Sequence, residues 1–139
     1  MKKEENIGYL LNRLTSLLNS VLTQDLNKFN LTRTQWAVLI TVYFELANTP
    51  SAIAAWLKWD RPTTSGVILR LLKQGWIVSH TDKKDRRSQK ISLTEDTASM
   101  MPELIFLNHK VIAAALQGFT EDQEKTLIEL LKKSIANLE

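Results

Sequence analysis

Cysteine is absent from this chain of 139 residues, which rules out disulfides, thiol catalysis, thiol-based redox sensing and cysteine-ligated zinc. Histidine occurs only twice. With no cysteines nearby and unlinked spacing, His80 and His109 read as ordinary histidines, and neither a metal nor a cofactor is expected. Long uncharged apolar runs are missing too. The N-terminal MKKEENIGYLLNRL is broken by charge, so neither a signal peptide nor a membrane span is expected, and the default location is the cytoplasm. There is no repeat, low-complexity tract or linker. Nor is there a glycine-rich phosphate loop, a clustered His/Asp/Glu group or a nucleophile–base spacing, so an enzyme is not expected.

Hydrophobic residues make up 44 % of the chain and charged residues 24 %, the mixture of an ordinary globular domain. The length suits a single domain, 1–139. A net charge of +3 is a mild pointer to a polyanionic partner, and its distribution matters more than its sum.

Helical periodicity runs from Ile7 to Phe29 through Leu10/Leu11, Leu14, Leu17/Leu18, Val21/Leu22 and Leu26. That stripe is wider than a small domain needs. Thr32 and Gln35 form a capping box for a second helix, with Leu31 positioned to staple onto Trp36. Thr49-Pro50 opens a short third helix in which Ile53, Ala54, Trp56 and Leu57 face inward. Asp60-Arg61-Pro62 repeats the cap-then-proline signal for a fourth, which Gly75 closes. Two short strands, 76–81 and 88–93, then flank a charged tip, DKKDRRS. Thr94 caps a long helix in which Pro102 either makes a kink or marks the true start, and Thr120 with Gln123 caps the last. The expected fold class is mainly α with a small β-hairpin wing. Residues 30–94 form a winged helix-turn-helix, and the N- and C-terminal helices, 1–29 and 95–139, form a helical dimerisation region.

The stretches LTRTQWAVL, IAAWLKWDRPTTSGVILRLLKQGWIV and DKKDRRSQKISLTED resemble the MarR family of bacterial transcriptional regulators over nearly the whole chain. The most specific piece is Asp85-Arg86-Arg87-Ser88 followed by Ile91, Leu93 and Thr94. The resemblance implies an intertwined homodimer whose winged domains sit on successive faces of a palindromic operator in double-stranded DNA. It also implies a regulator, expected to be a repressor. Three positions depart from the family pattern. Gly66 stands where many members carry arginine or a bulkier residue, and Lys58 and Thr97 stand where glycine is common.

The candidate DNA-reading residues on the recognition helix are Arg61, Pro62, Thr63, Thr64, Ser65 and Arg70, because small polar and bidentate groups at such a helix start suit base edges. Thr64 or Ser65 is expected to meet a thymine methyl or accept from a base; the plainer alternative is that the threonines only cap the helix. On the wing the candidates are Lys83, Lys84, Asp85, Arg86 and Arg87. The resemblance makes Arg87 the first candidate for minor-groove insertion, with Asp85 orienting it through a charge-assisted pair. Arg86, Lys83 and Lys84 are then phosphate contacts. A solvated charged turn is the alternative.

Members of the family often bind small aromatic acids or similar amphipathic compounds between the dimer helices and the winged domain. Arg13, Trp36, Tyr43 and Trp56 are candidates to line such an effector pocket, although plain core is the stronger reading for each of the three aromatics. The rival function is a winged-helix module that dimerises but uses its wing on a protein partner. The tip offers only Lys, Arg, Asp and Ser, without the aromatic anchors a protein interface favours.

Overall fold

Local capping chemistry sets where each helix begins. The computed structural model describes residues 2–85 and 87–139. After a single 3-10 turn, the chain runs α1 (Ile7–Asn27), α2 (Arg33–Tyr43), α3 (Pro50–Leu57), α4 (Arg61–Gln74), β1 (Ile77–Thr81), β2 (Gln89–Leu93), α5 (Glu95–Ala115) and α6 (Glu121–Leu138). The α2 box is complete: Thr32 Oγ1 accepts from the Gln35 amide at 3.2 Å and Gln35 Oε1 accepts from the Thr32 amide at 3.0 Å. Thr120 and Gln123 repeat it at the start of α6. Each box satisfies two amides that would otherwise lack partners, worth about 1 kcal/mol. Thr49, Asp60 and Thr94 cap α3, α4 and α5. The cap of α1 is Asn6, whose side chain accepts from the Tyr9 amide at 2.9 Å.

Gly75 closes α4 at φ 81°, a left-handed conformation that costs glycine nothing. Lys58 closes α3 at φ 58°, without that freedom. Pro102 lies inside α5, which starts at Glu95 under the Thr94 cap, so the proline does not mark the helix start.

The two strands pair antiparallel with Ile77 opposite Leu93, Ser79 opposite Ile91 and Thr81 opposite Gln89. Ile91 also donates its amide to Asn48 O at 2.7 Å, tying the hairpin to the segment that leads into α3. One apolar cluster joins Leu22 and Leu26 of α1, Val38 and Leu39 of α2, Ile53 of α3, Val67, Ile68 and Leu71 of α4, Ile77 and Ile91 of the hairpin, and Met101 and Leu104 of α5. The hairpin and the α3–α4 pair are therefore held against the helical body by shared core. Trp36 adds a polar fastener, its indole N–H donating to Leu104 O at 3.0 Å.

The terminal helices are different. α6 contributes no buried residue. Ile7, Leu10, Leu11, Leu14, Leu17 and Val21 of α1, Phe106 of α5, and Ile128, Leu130, Leu131 and Ile135 of α6 all stand exposed. So broad an apolar surface is far more than scattered single side chains produce. No helix among the described residues is long and apolar enough to cross a membrane.

Candidate nucleic-acid interface

The register of α4 is set by its buried side, and that side decides which polar residues look outward. Thr64, Val67, Ile68 and Leu71 recur at the 3, 4 and 7 spacing of one helix face and are all buried. Arg61, Pro62, Thr63, Ser65 and Arg70 are exposed. Thr64 is only 1 % exposed, and its hydroxyl donates to Asp60 O at 2.8 Å. This corrects the expectation of a base contact: Thr64 is a core residue of the helix start, with neither room nor a free hydroxyl proton for DNA.

Asp60 organises the exposed tip. Its two carboxylate oxygens accept from the Thr63 amide at 2.7 Å and the Thr63 hydroxyl at 2.9 Å. Those two bonds, the amide first, hold the Asp60 carboxyl below the usual carboxylate range. Thr63 thus spends its hydroxyl proton on the cap although the residue itself is exposed. Ser65 makes no such commitment and has the freer hydroxyl.

The wing is ordered by turns in which aspartates bond nearby backbone. Asp82 Oδ1 accepts from the Lys84 amide and Asp85 Oδ1 from the Arg87 amide, both at 3.0 Å. The Ser88 amide donates to Asp85 O at 3.0 Å, and the Asp82 amide to Ser88 O at 2.9 Å. Asp85 was expected to pair with the Arg87 guanidinium. It bonds the Arg87 backbone instead, shaping the turn rather than neutralising the side chain. Lys83, Lys84 and Arg87 are exposed. Arg86, also expected to contact DNA, lies outside the described residues.

These pieces meet. A cleft of 420 Å³ runs between the starts of α3 and α4 and the wing, bordered by Ser51, Arg61, Ser65, Asp85 and Arg87. Two helix N-termini at its edge add partial positive charge to that of the two arginines. Ser51 and Gln89, both on this cleft, were not among the expected residues. The cap-then-proline signal shared by Thr49-Pro50 and Asp60-Arg61-Pro62 marked two helix starts, and the hairpin brings the wing to both. Among the described residues the one ion pair is Lys28–Asp25 at 3.6 Å, away from the cleft.

The four effector-pocket candidates do not converge. Tyr43 borders a 390 Å³ cavity between α2 and β2, with Val42, Asn48 and Leu93, while Arg13, Trp36 and Trp56 do not. Trp36 is half-buried against α5. Trp56 was expected to face inward and instead is 54 % exposed, since α3 is short and Ile53 and Ala54 already fill its buried side.

Comparison with known proteins gives a consistent likeness. A family model described as the MarR family matches residues 31–89. An uncharacterized HTH-type transcriptional regulator, YybA of Bacillus subtilis (strain 168), is 28 % identical over 122 residues, covering 88 % of this chain and 81 % of YybA. Among solved structures, a putative MarR family transcriptional regulator from Listeria monocytogenes complexed with 26mer DNA is 28 % identical with a TM-score of 0.82. That match covers 99 % of this chain and 90 % of the Listeria chain. The transcriptional regulator SlyA is 27 % identical with a TM-score of 0.82, over 96 % of this chain and 94 % of that one.

Proposed function

We propose that this chain, whose residues 31–89 match the MarR family of transcriptional regulators, binds a palindromic operator in double-stranded DNA as a homodimer and represses transcription by occupying it. One observation carries the reading: the exposed polar start of α4, the start of α3 and the cationic wing border a single cleft. A helix start presented this way suits the major groove, and a hairpin tip bearing Arg87 suits the narrow, strongly negative minor groove beside it. The Listeria neighbour complexed with 26mer DNA supports the same use of the fold.

In this reading residues 30–94 contact DNA, while 1–29 and 95–139 supply the dimer contact. The exposed apolar side chains of α1, α5 and α6 support that division, since a partner copy would cover them. Release by a small amphipathic or aromatic ligand completes the proposal. Such a ligand shifts operator affinity only through its different affinity for dimers with different spacing of their recognition helices. The cavity bordered by Tyr43 lies within the DNA-contacting part, between α2 and the wing, where an occupant would bear on the position of the hairpin.

The test is selection from random duplexes followed by titration at several salt concentrations. The expected result is an enriched inverted repeat with half-sites about one helical turn apart and an affinity that falls steeply with salt. Failure to enrich any duplex would favour a winged-helix module whose partner is a protein.

A further inference from the structure

Gly66 and Arg70 are one helical turn apart on α4, and the structure makes them a unit. Arg70 Nε donates to Gly66 O at 3.2 Å. One terminal guanidinium nitrogen of Arg70 lies 3.6 Å from where a Cβ on residue 66 would stand. The side chain therefore lies back along the helix, in the direction that helical side chains lean. Its charged end occupies the space beside residue 66, about 6 Å nearer the DNA-facing end than the Arg70 backbone. Glycine inside a helix weakens it, and here the small residue leaves the space beside position 66 open to the guanidinium.

The tether has a chemical consequence. With Nε–H engaged by the Gly66 carbonyl, the guanidinium plane is fixed and both terminal nitrogens remain free as a fork. No carboxylate among the described residues pairs with them. A planar fork of two donors is the complement of guanine O6 and N7 in the major groove. Arg61 differs: it borders the cleft facing the wing and, among the described residues, has no such tether to the helix backbone.

We propose that Arg70, laid back over Gly66, is the specificity-determining residue that reads a guanine in each half-site, and that Gly66 provides the space for it. This rests on the DNA-binding reading above. Steric detail makes it graded. A single methyl at residue 66 meets the guanidinium at ordinary contact distance, so a long side chain there would have to displace the guanidinium from its place.

The experiment is random-duplex selection with the full-length protein, its Arg70→Ala, Arg70→Lys, Gly66→Ala and Gly66→Met variants, and Arg61→Ala beside them. The wild type is expected to enrich a guanine at one position of each half-site. Arg70→Ala should reduce that preference roughly tenfold to a hundredfold, the worth of a bidentate base contact. Arg70→Lys should retain part of the preference. Gly66→Ala should lower it slightly and Gly66→Met to the Arg70→Ala level. Arg61→Ala should weaken binding on all sequences alike. If Arg70→Ala keeps the wild-type preference and loses affinity uniformly, Arg70 is a phosphate contact and the proposal fails while DNA binding stands. If the wild type enriches no duplex, the DNA-binding reading fails and takes this proposal with it.

Discussion

Truncating Leu10, Leu14 and Leu17 together to alanine should take the proposed homodimer apart. These residues are 46 %, 44 % and 46 % exposed in the single chain, so nearly half of each side chain remains to be covered by a partner. Complete burial of a leucine side chain is worth about 1.5–3 kcal/mol, which leaves roughly 1 kcal/mol for the uncovered part of each. A two-fold interface contains every substitution twice, so the triple variant loses about 6 kcal/mol of association energy, a change of over ten-thousandfold in the dimer dissociation constant. A nanomolar dimer would then come apart at tens of micromolar. Sedimentation equilibrium over a range of concentrations measures the constant directly, and far-ultraviolet circular dichroism on the same samples shows whether protomers unfold as they separate. Unfolding should accompany dissociation, because α6 buries no side chain of its own in the single chain. A triple variant that stays dimeric at low micromolar concentration, or a wild-type monomer well folded under those conditions, would refute the reasoning.

The wing should separate two kinds of contact. Arg87→Ala is expected to weaken operator binding and flatten the preference for A·T-rich flanks, whereas Lys84→Ala should weaken all duplexes alike and lower the salt slope by about one unit; identical effects from both would contradict the assignment. Lys58→Gly should raise stability by about 1 kcal/mol in a denaturant titration, since Lys58 holds φ 58° at a cost glycine escapes, and a loss of stability would show that its side chain matters more than its backbone. Asp60, whose pKa is lowered by the Thr63 amide and hydroxyl, contributes stability that is present above its unfolded value of about 3.9 and is lost as pH falls through its lower folded value. Asp60→Asn retains the cap without the titration, so its stability should fall less over that acid range; an unchanged acid limb in unfolding titrations would remove Asp60 from the account.

Helix boundaries were legible because capping is a conversation among four or five neighbouring residues. Thr32 with Gln35, Thr49 before Pro50, Asp60 before Pro62 and Thr120 with Gln123 all formed the bonds their spacing predicts. Orientation was less legible where several similar residues stand in a row. Thr63, Thr64 and Ser65 are chemically alike, and only the helical register tells them apart. The 3, 4 and 7 spacing of Thr64 to Val67, Ile68 and Leu71 carried that information, and it assigns Thr64 to the core. Trp56 shows the converse: its spacing from Ile53 suggests an inward face, but an eight-residue helix has little buried side to share. The partner of Asp85 was not legible at all, because a carboxylate can equally bond a guanidinium or the backbone amide of the same arginine. The backbone of the turn decides. The closeness of Arg70 to Gly66 follows from their four-residue separation, yet only coordinates show the side chain lying back across the glycine.

The modest net charge of +3 understates what the cleft offers a polyanion, because of where the acids are used. Asp60, Asp82 and Asp85 stand among the cations of α4 and the wing, and each directs an oxygen at a backbone amide. A carboxylate bonded to backbone fixes a turn or a helix start, and among the described residues none of these three aspartates pairs with a neighbouring guanidinium or ammonium group. Had the same aspartates paired with Arg61, Lys84 or Arg87 side chains, phosphate would have to displace a carboxylate at every contact, and part of the gain from releasing counter-ions would vanish. Shape and charge are thus separated on this surface: the acids hold the scaffold, and the bases remain free to bind.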